Sequence, residues 1–125
     1  MATVLVVDDA VFMRRMLSDI FKKEGHQVVG EAENAKEAVT LYKKLKPDFV
    51  TLDIIMPEID KVDSMKAVQE ILSFDKQAAI LMVSAMGQQQ IVVEAIRTGA
   101  KDFIVKPFQA SNVVNVVNRV LREKH

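Results

Sequence analysis

The chain has 125 residues, of which 50% are hydrophobic and 27% charged, and this composition is typical of one soluble globular domain covering residues 1–125. Lysine plus arginine equals aspartate plus glutamate at 17 each, so no broad positive field exists to attract nucleic acid. The absence of cysteine excludes disulfides and zinc thiolate sites. The sequence lacks both a membrane-spanning apolar run and a signal-peptide pattern, so we expect a cytoplasmic protein without membrane contact.

Strand and helix patterns alternate five times along the chain. The apolar residues 4–7 predict a first strand, and residues 10–24 predict a helix with an apolar stripe that we expect in the core. The stripe consists of Phe12, Met13, Met16, Leu17, Ile20 and Phe21. Residues 27–31 predict a weaker strand at an edge. Asn34, followed three residues later by Glu37, resembles a capping box and starts the second helix.

The same alternation continues through the second half of the chain. Residues 49–53 predict a buried third strand with a carboxylate at its end, and residues 62–74 predict a third helix. The remaining elements are a strand at 79–83, a helix at about 88–98, a strand at 102–105 and a helix with Ser111 as its N-cap.

This (βα)5 pattern with nearly continuous apolar strands predicts a doubly wound α/β fold, in which helices cover both faces of a parallel sheet. Right-handed crossovers place the first and fifth helices on one face and the other three on the opposite face. The flavodoxin-like strand order 2-1-3-4-5 meets these conditions. A closed barrel needs eight such units, and the chain has five.

Polar side chains stand at the carboxyl ends of the central strands. Asp8 and Asp9 follow the first strand, Asp53 ends the third, and Ser84 and Lys106 follow the fourth and fifth. Because these strand ends share one edge of a parallel sheet, we expect the five side chains in one crevice. Three carboxylates there repel one another and fit Mg²⁺, which accepts phosphoryl oxygens as further ligands. With an amine and a hydroxyl nearby, the pattern indicates phosphoryl transfer to an aspartate.

The whole chain resembles the receiver domains of two-component response regulators, most closely the stand-alone regulators of chemotaxis. The motifs that carry the resemblance are Val-Asp-Asp at 7–9, Leu-Asp-Ile-Ile-Met-Pro at 52–57, Val-Ser-Ala-Met-Gly at 83–87 and Phe-Ile-Val-Lys-Pro at 103–107. The resemblance implies a monomeric signalling switch that a histidine kinase phosphorylates. It also implies a separate downstream target, such as the flagellar motor switch or a chemotaxis phosphatase, and no enzymatic activity beyond its own phosphorylation and dephosphorylation.

The resemblance further implies a role for each site residue. Asp53 matches the phosphoacceptor, Lys106 the phosphate-binding amine before a cis proline, and Ser84 the switch hydroxyl. Phe103 matches the aromatic residue whose rotamer reports the switch.

The expected Mg²⁺ ligands are Asp9, Asp53, the backbone carbonyl of Ile55 and, through water, Asp8. One position departs from the family, because Lys61 stands where glycine is usual, and a lysine adopts the glycine conformation only at a cost.

Two alternative functions remain open from the sequence. A phosphorelay intermediate would use the same residues to pass the phosphoryl group on, and the small Ala85 beside Ser84 does not separate it from a chemotaxis output protein. An aspartyl-phosphate phosphohydrolase would need a general acid two residues after the nucleophile. The residue at that position is Ile55, which cannot transfer a proton.

Overall fold

The elements expected from the sequence assemble into a parallel sheet with helices on both faces. The computed structural model describes residues 2–56 and 62–123. The strands are β1 (Thr3–Val7), β2 (Gln27–Ala32), β3 (Phe49–Asp53), β4 (Ile80–Ala85) and β5 (Asp102–Lys106). The helices are α1 (Val11–Lys23), α2 (Ala35–Leu45), α3 (Ser64–Phe74), α4 (Gln89–Thr98) and α5 (Ala110–Glu123).

The strand order is β2-β1-β3-β4-β5 and every pairing is parallel, which confirms the predicted topology and the edge position of β2. The capping signal of α2 is also confirmed, since Asn34 Oδ1 accepts a 2.8 Å hydrogen bond from Glu37 N. The N-cap prediction for α5 is wrong. The carbonyl of Gln109 already accepts helical bonds from the amides of Asn112 and Val113, so Ser111 lies inside the helix.

Two apolar cores lie on opposite faces of the sheet. On one face, buried residues of α1 and α5 pack against β1, β3, β4 and β5. On the other face, buried residues of α2, α3 and α4 pack against β1, β2, β3 and β4. This arrangement is the one that right-handed crossovers predict. Within the described ranges, the helices are too short or too polar to cross a membrane.

The apolar stripe of α1 is only partly in the core. Leu17 and Phe21 are buried, whereas Phe12 is 72% exposed and Met16 is 38% exposed, so the core prediction is wrong for these two residues. A helix on a sheet buries only the face turned toward the strands. Phe12 lies in the first turn, at the edge where β1 has already ended, and the sheet offers it no surface to cover.

Two buried hydroxyl groups lack a hydrogen-bond partner within the described part of the chain. They are the Oγ1 atom of Thr51 in the middle of β3 and the Oγ atom of Ser18 in α1. Thr51 has no exposed surface, and a buried hydroxyl without a partner costs about 1–3 kcal/mol. The core of β3 therefore contains a polar group that weakens the fold.

We expect Thr51→Val to raise the free energy of unfolding by about 1 kcal/mol, because valine keeps the shape of threonine and removes the unpaired hydroxyl. Urea denaturation of the two proteins measures the difference. Thr98→Val is the matched control, since the Thr98 hydroxyl donates to the carbonyl of Glu94 at 2.9 Å and the residue is exposed. Destabilisation by Thr51→Val would mean that its hydroxyl has a partner in solution.

Candidate functional site

The register of the sheet places four of the predicted side chains at one edge. β3 pairs with β4 so that Asp53 lies opposite the residue before Ser84. β1 pairs with β3 so that Asp8 follows directly on their last paired residues. β4 pairs with β5 so that Lys106 lies opposite the residue after Ser84. The expected crevice therefore forms at the carboxyl ends of the four strands.

The three predicted carboxylates come together in this crevice. One oxygen each from Asp8, Asp9 and Asp53 lies within 4.8 Å of the others. Asp8 and Asp53 are only 1% and 6% exposed, while Asp9 is open to solvent. Hard carboxylate oxygens that converge and retain access to water are the donor set that Mg²⁺ prefers. The residues present therefore fit the predicted metal.

The ammonium group of Lys106 lies between the two buried carboxylates. Its Nζ atom donates to Asp8 Oδ2 at 3.0 Å and lies 3.4 Å from Asp53 Oδ1. Burial alone lowers the pKa of Lys106, but the hydrogen bond to Asp8 and the charges of both carboxylates outweigh it, and the pKa lies above its usual value. Lys106 is therefore a fixed positive charge at the site.

Asp53 has an unusual affinity for protons. Burial raises its pKa to about 6, the neighbouring charge of Asp8 adds to the rise, and Lys106 opposes it. Burial and the like charge both disfavour the ionised form. The ionised form, which is the better nucleophile, is the main form above that pKa.

Sequence reasoning missed two side chains that hold the backbone of the site. The hydroxyl of Ser64, at the start of α3, lies 2.7 Å from the carbonyl of Asp53 and 2.6 Å from that of Ile54. Arg14 of α1 donates through Nη1 to the carbonyl of Asp8, and its Nε atom pairs with Glu31 at 3.2 Å. Both side chains bind main-chain carbonyls, and no spacing in the sequence indicates such contacts.

The predicted switch pair borders an apolar cavity. Ser84 is buried, whereas the ring of Phe103 is 41% exposed. Both residues line a cavity of about 360 Å³ between α4 and β5, together with Val92 and Val105. The structure therefore shows Phe103 in an outward position, with space beside Ser84.

Three further sequence predictions concern the carbonyl of Ile55, the cis proline and Lys61. Ile55 follows Asp53 by two residues, and its side chain is 63% exposed; its carbonyl stays a predicted ligand. The peptide bond between Lys106 and Pro107 is cis, as the resemblance implies. Lys61, the position that departs from the family, lies outside the described residues.

Comparison with known proteins gives consistent matches over nearly the whole chain. Residues 4–118 match the family model of the response regulator receiver domain. The chemotaxis protein CheY of Thermotoga maritima is 59% identical over 117 residues, which cover 94% of this chain and 95% of that protein. NtrX from Brucella abortus, in complex with ADP, is 34% identical with a TM-score of 0.91; the match covers 98% of this chain but only 27% of that one. CheY in the CheX–CheY–BeF3–Mg²⁺ complex from Borrelia burgdorferi is 42% identical with a TM-score of 0.87, covering 94% of this chain and 87% of the other.

We expect Asp53→Asn to raise the free energy of unfolding of the metal-free protein at pH 7.5 by about 1–2 kcal/mol. The gain is limited because water in the open crevice screens the charge of Asp53. The pKa of Asp53 is about 6 in the folded state, above its usual 3.8, so ionisation disfavours folding. The sign follows from proton linkage: the cost is absent below the unfolded pKa and reaches its full size above the folded one.

Urea unfolding of both proteins in EDTA at pH 4 and pH 7.5 measures this effect. The gain from Asp53→Asn should shrink as the pH falls. Asp19→Asn is the matched control, because Asp19 is exposed on α1. An equal gain at both pH values would show that repulsion at the site is not its cause.

Proposed function

Because it matches the receiver family over residues 4–118, the chain belongs to the response regulator receiver domains, and we propose that Asp53 is its phosphoacceptor. The chain is homologous to CheY proteins and acts as a phosphorylation-activated switch of a two-component system. The observation that carries the Asp53 assignment is a buried carboxylate 3.4 Å from the ammonium group of Lys106, beside the carboxylates of Asp8 and Asp9.

The proposed reaction moves one phosphoryl group from a phosphohistidine of a kinase to the protein. A carboxylate oxygen of Asp53 attacks phosphorus, the P–N bond breaks, and the histidine nitrogen leaves with the bonding electrons and takes up a proton. The product is an acyl phosphate. We assign to Lys106 the neutralisation of charge on the transferred oxygens and to the Ser84 hydroxyl a hydrogen bond to one of them. Attack of water on the same phosphorus breaks its bond to the Asp53 oxygen, releases inorganic phosphate and restores the carboxylate.

We assign Mg²⁺ as the cofactor, held by Asp9, Asp53 and the Ile55 carbonyl, with Asp8 acting through water. When bound, the ion neutralises negative charge where carboxylates and phosphoryl oxygens meet. In this structure both oxygens of Asp8 already have partners, since Oδ1 accepts from the amide of Ala10 at 2.9 Å and Oδ2 from Lys106. Because both oxygens already accept hydrogen bonds, Asp8 is better suited to bind the ion through a water molecule than directly.

The proposed output is a change in the surface formed by α4 and β5. This surface already exposes apolar side chains, which a partner protein can cover. They are Val93, Ile96, Phe103 and Val105.

We propose that a histidine kinase in the cytoplasm supplies the phosphoryl group to a monomer and that a separate protein binds the altered surface. A flagellar motor switch or a chemotaxis phosphatase is the expected partner, and the complex of the Borrelia relative with CheX supports binding to a separate protein.

The phosphohydrolase alternative receives no support from the site. Its general acid would stand at position 55, where the structure has an exposed isoleucine. We propose that the domain catalyses only its own phosphorylation and dephosphorylation. A phosphorelay role uses the same geometry, and no observation favours it over chemotaxis output.

We expect acetyl phosphate to transfer one phosphoryl group to the protein in the presence of Mg²⁺ and none in EDTA, with acetate as the leaving group. Intact mass spectrometry measures the product. Asp53→Asn should abolish labelling because it removes the nucleophile, whereas Asp19→Asn on α1 should be labelled like the parent. Full labelling of Asp53→Asn would refute the assignment of the acceptor.

Phosphorylation should also move the ring of Phe103 into the cavity beside Ser84. The hydroxyl of Ser84 turns toward the phosphoryl group and leaves space, and burial of the exposed ring favours its inward position. Ring resonances of Phe103, recorded by NMR before and after addition of beryllofluoride and Mg²⁺, report the change. Phe74 is the control, since it is 45% exposed and lies at the end of α3. Unchanged Phe103 resonances in a protein that binds beryllofluoride would contradict the coupling.

A further inference from the structure

A glutamine side chain closes the turn between β4 and α4. The Oε1 atom of Gln88 accepts a 2.6 Å hydrogen bond from the backbone amide of Ala85. The amide of Gln88 in turn donates to the carbonyl of Ala85 at 3.3 Å. Because an amide N–H only donates, the atom that meets it must be the oxygen of the carboxamide. The turn from Ala85 to Gln88 is thus closed by two reciprocal bonds.

The amide of Ala85 faces the side of β4 on which Asp53 lies. The carbonyl of Val83 accepts a 3.0 Å bond from the amide of Ile54, so the backbone groups of Val83 point toward β3. Backbone groups of a strand alternate in direction from one residue to the next. Ala85, two residues after Val83, therefore directs its N–H to the same side, past the end of β3 at Asp53.

We propose that the Gln88 carboxamide is a latch that occupies the Ala85 amide in the unphosphorylated state and must release it when a phosphoryl group is present on Asp53. The proposal rests on the function proposed above. A backbone N–H at this position is a suitable donor to a phosphoryl oxygen, because hydrogen bonds to a charged acceptor are stronger than those to a neutral carboxamide. The phosphoryl oxygen therefore displaces the Gln88 carboxamide from the Ala85 amide. Because the bond between Gln88 and Ala85 must break first, the site's affinity for a phosphoryl group is reduced.

The latch connects the crevice to the helix at the output surface. Gln88 is the N-cap residue of α4, and its carbonyl accepts bonds from the amides of Ile91 and Val92. Its side chain lines a cavity of about 370 Å³ that Ile55 and Ile91 also border, so the released carboxamide has space to turn. Release at Ala85 thus frees the side chain of the residue that begins α4. This makes Gln88 a positioning residue that acts through the turn.

The test measures beryllofluoride affinity in the presence of Mg²⁺ for the full chain. Gln88→Met has a similar length but no strong acceptor, and we expect it to bind about three- to tenfold more tightly, since the competing bond is gone. Gln88→Glu keeps a stronger, charged acceptor and should bind more weakly than the parent. Gln90→Met and Gln90→Glu are matched controls on the exposed part of α4. Both control variants should bind beryllofluoride with the affinity of the parent, apart from a small effect of the added charge in Gln90→Glu.

NMR of the parent supplies a second measurement. On addition of beryllofluoride, both the Ala85 amide and the Gln88 side-chain resonances should shift, while the Gln90 side-chain resonances should stay in place. Unchanged Gln88 resonances, or equal affinity of Gln88→Met and the parent, would overturn the latch and leave the proposed function intact. If the parent fails to bind beryllofluoride through Asp53, the proposed function fails, and the latch fails with it.

Discussion

The repulsion among three carboxylates at one sheet edge, balanced by one ammonium group, is the interaction on which the site depends. Asp8 and Asp53 cannot separate, because they extend from neighbouring strands whose ladder is fully buried. The Lys106 ammonium offsets only part of the negative charge, and burial leaves Asp53 with a raised pKa. The folded protein therefore holds excess negative charge where a cation or an electrophilic phosphorus atom lowers the energy.

The cores on the two faces hold this edge in place, but they do not hold every helix equally. α2 and α3 each bury four residues, whereas α4 buries only Val92 and Ala95. An element with few buried contacts opens at a lower free energy than the rest of a fold. α4 also begins beside the site, and it exposes apolar side chains to a partner. The rigid sheet therefore positions the chemistry, while the less buried helix is suited to respond to it.

Most of the fold and much of the candidate site could be predicted because the signals are local. The carboxylates, the hydroxyl and the amine of the site stand at the ends of apolar strands, and parallel topology brings such ends together. The failures concern the environment of single side chains. Phe12 has the right helical spacing but lies beyond the end of the sheet, where spacing carries no information. Ser64, Arg14 and Gln88 bind backbone atoms, and the position of those atoms is fixed only by the tertiary structure.

The hydrogen bond between Lys106 and Asp8 joins residues that are 98 positions apart in the chain. The cation of the site thus comes from the last strand, while two of the carboxylates come directly after the first. A growing chain on the ribosome presents the carboxylates long before Lys106 emerges. The charge balance exists only after β5 has docked against β4. The charge balance at this edge is in this way a property of the finished fold, because a chain without β5 lacks the ammonium group of Lys106.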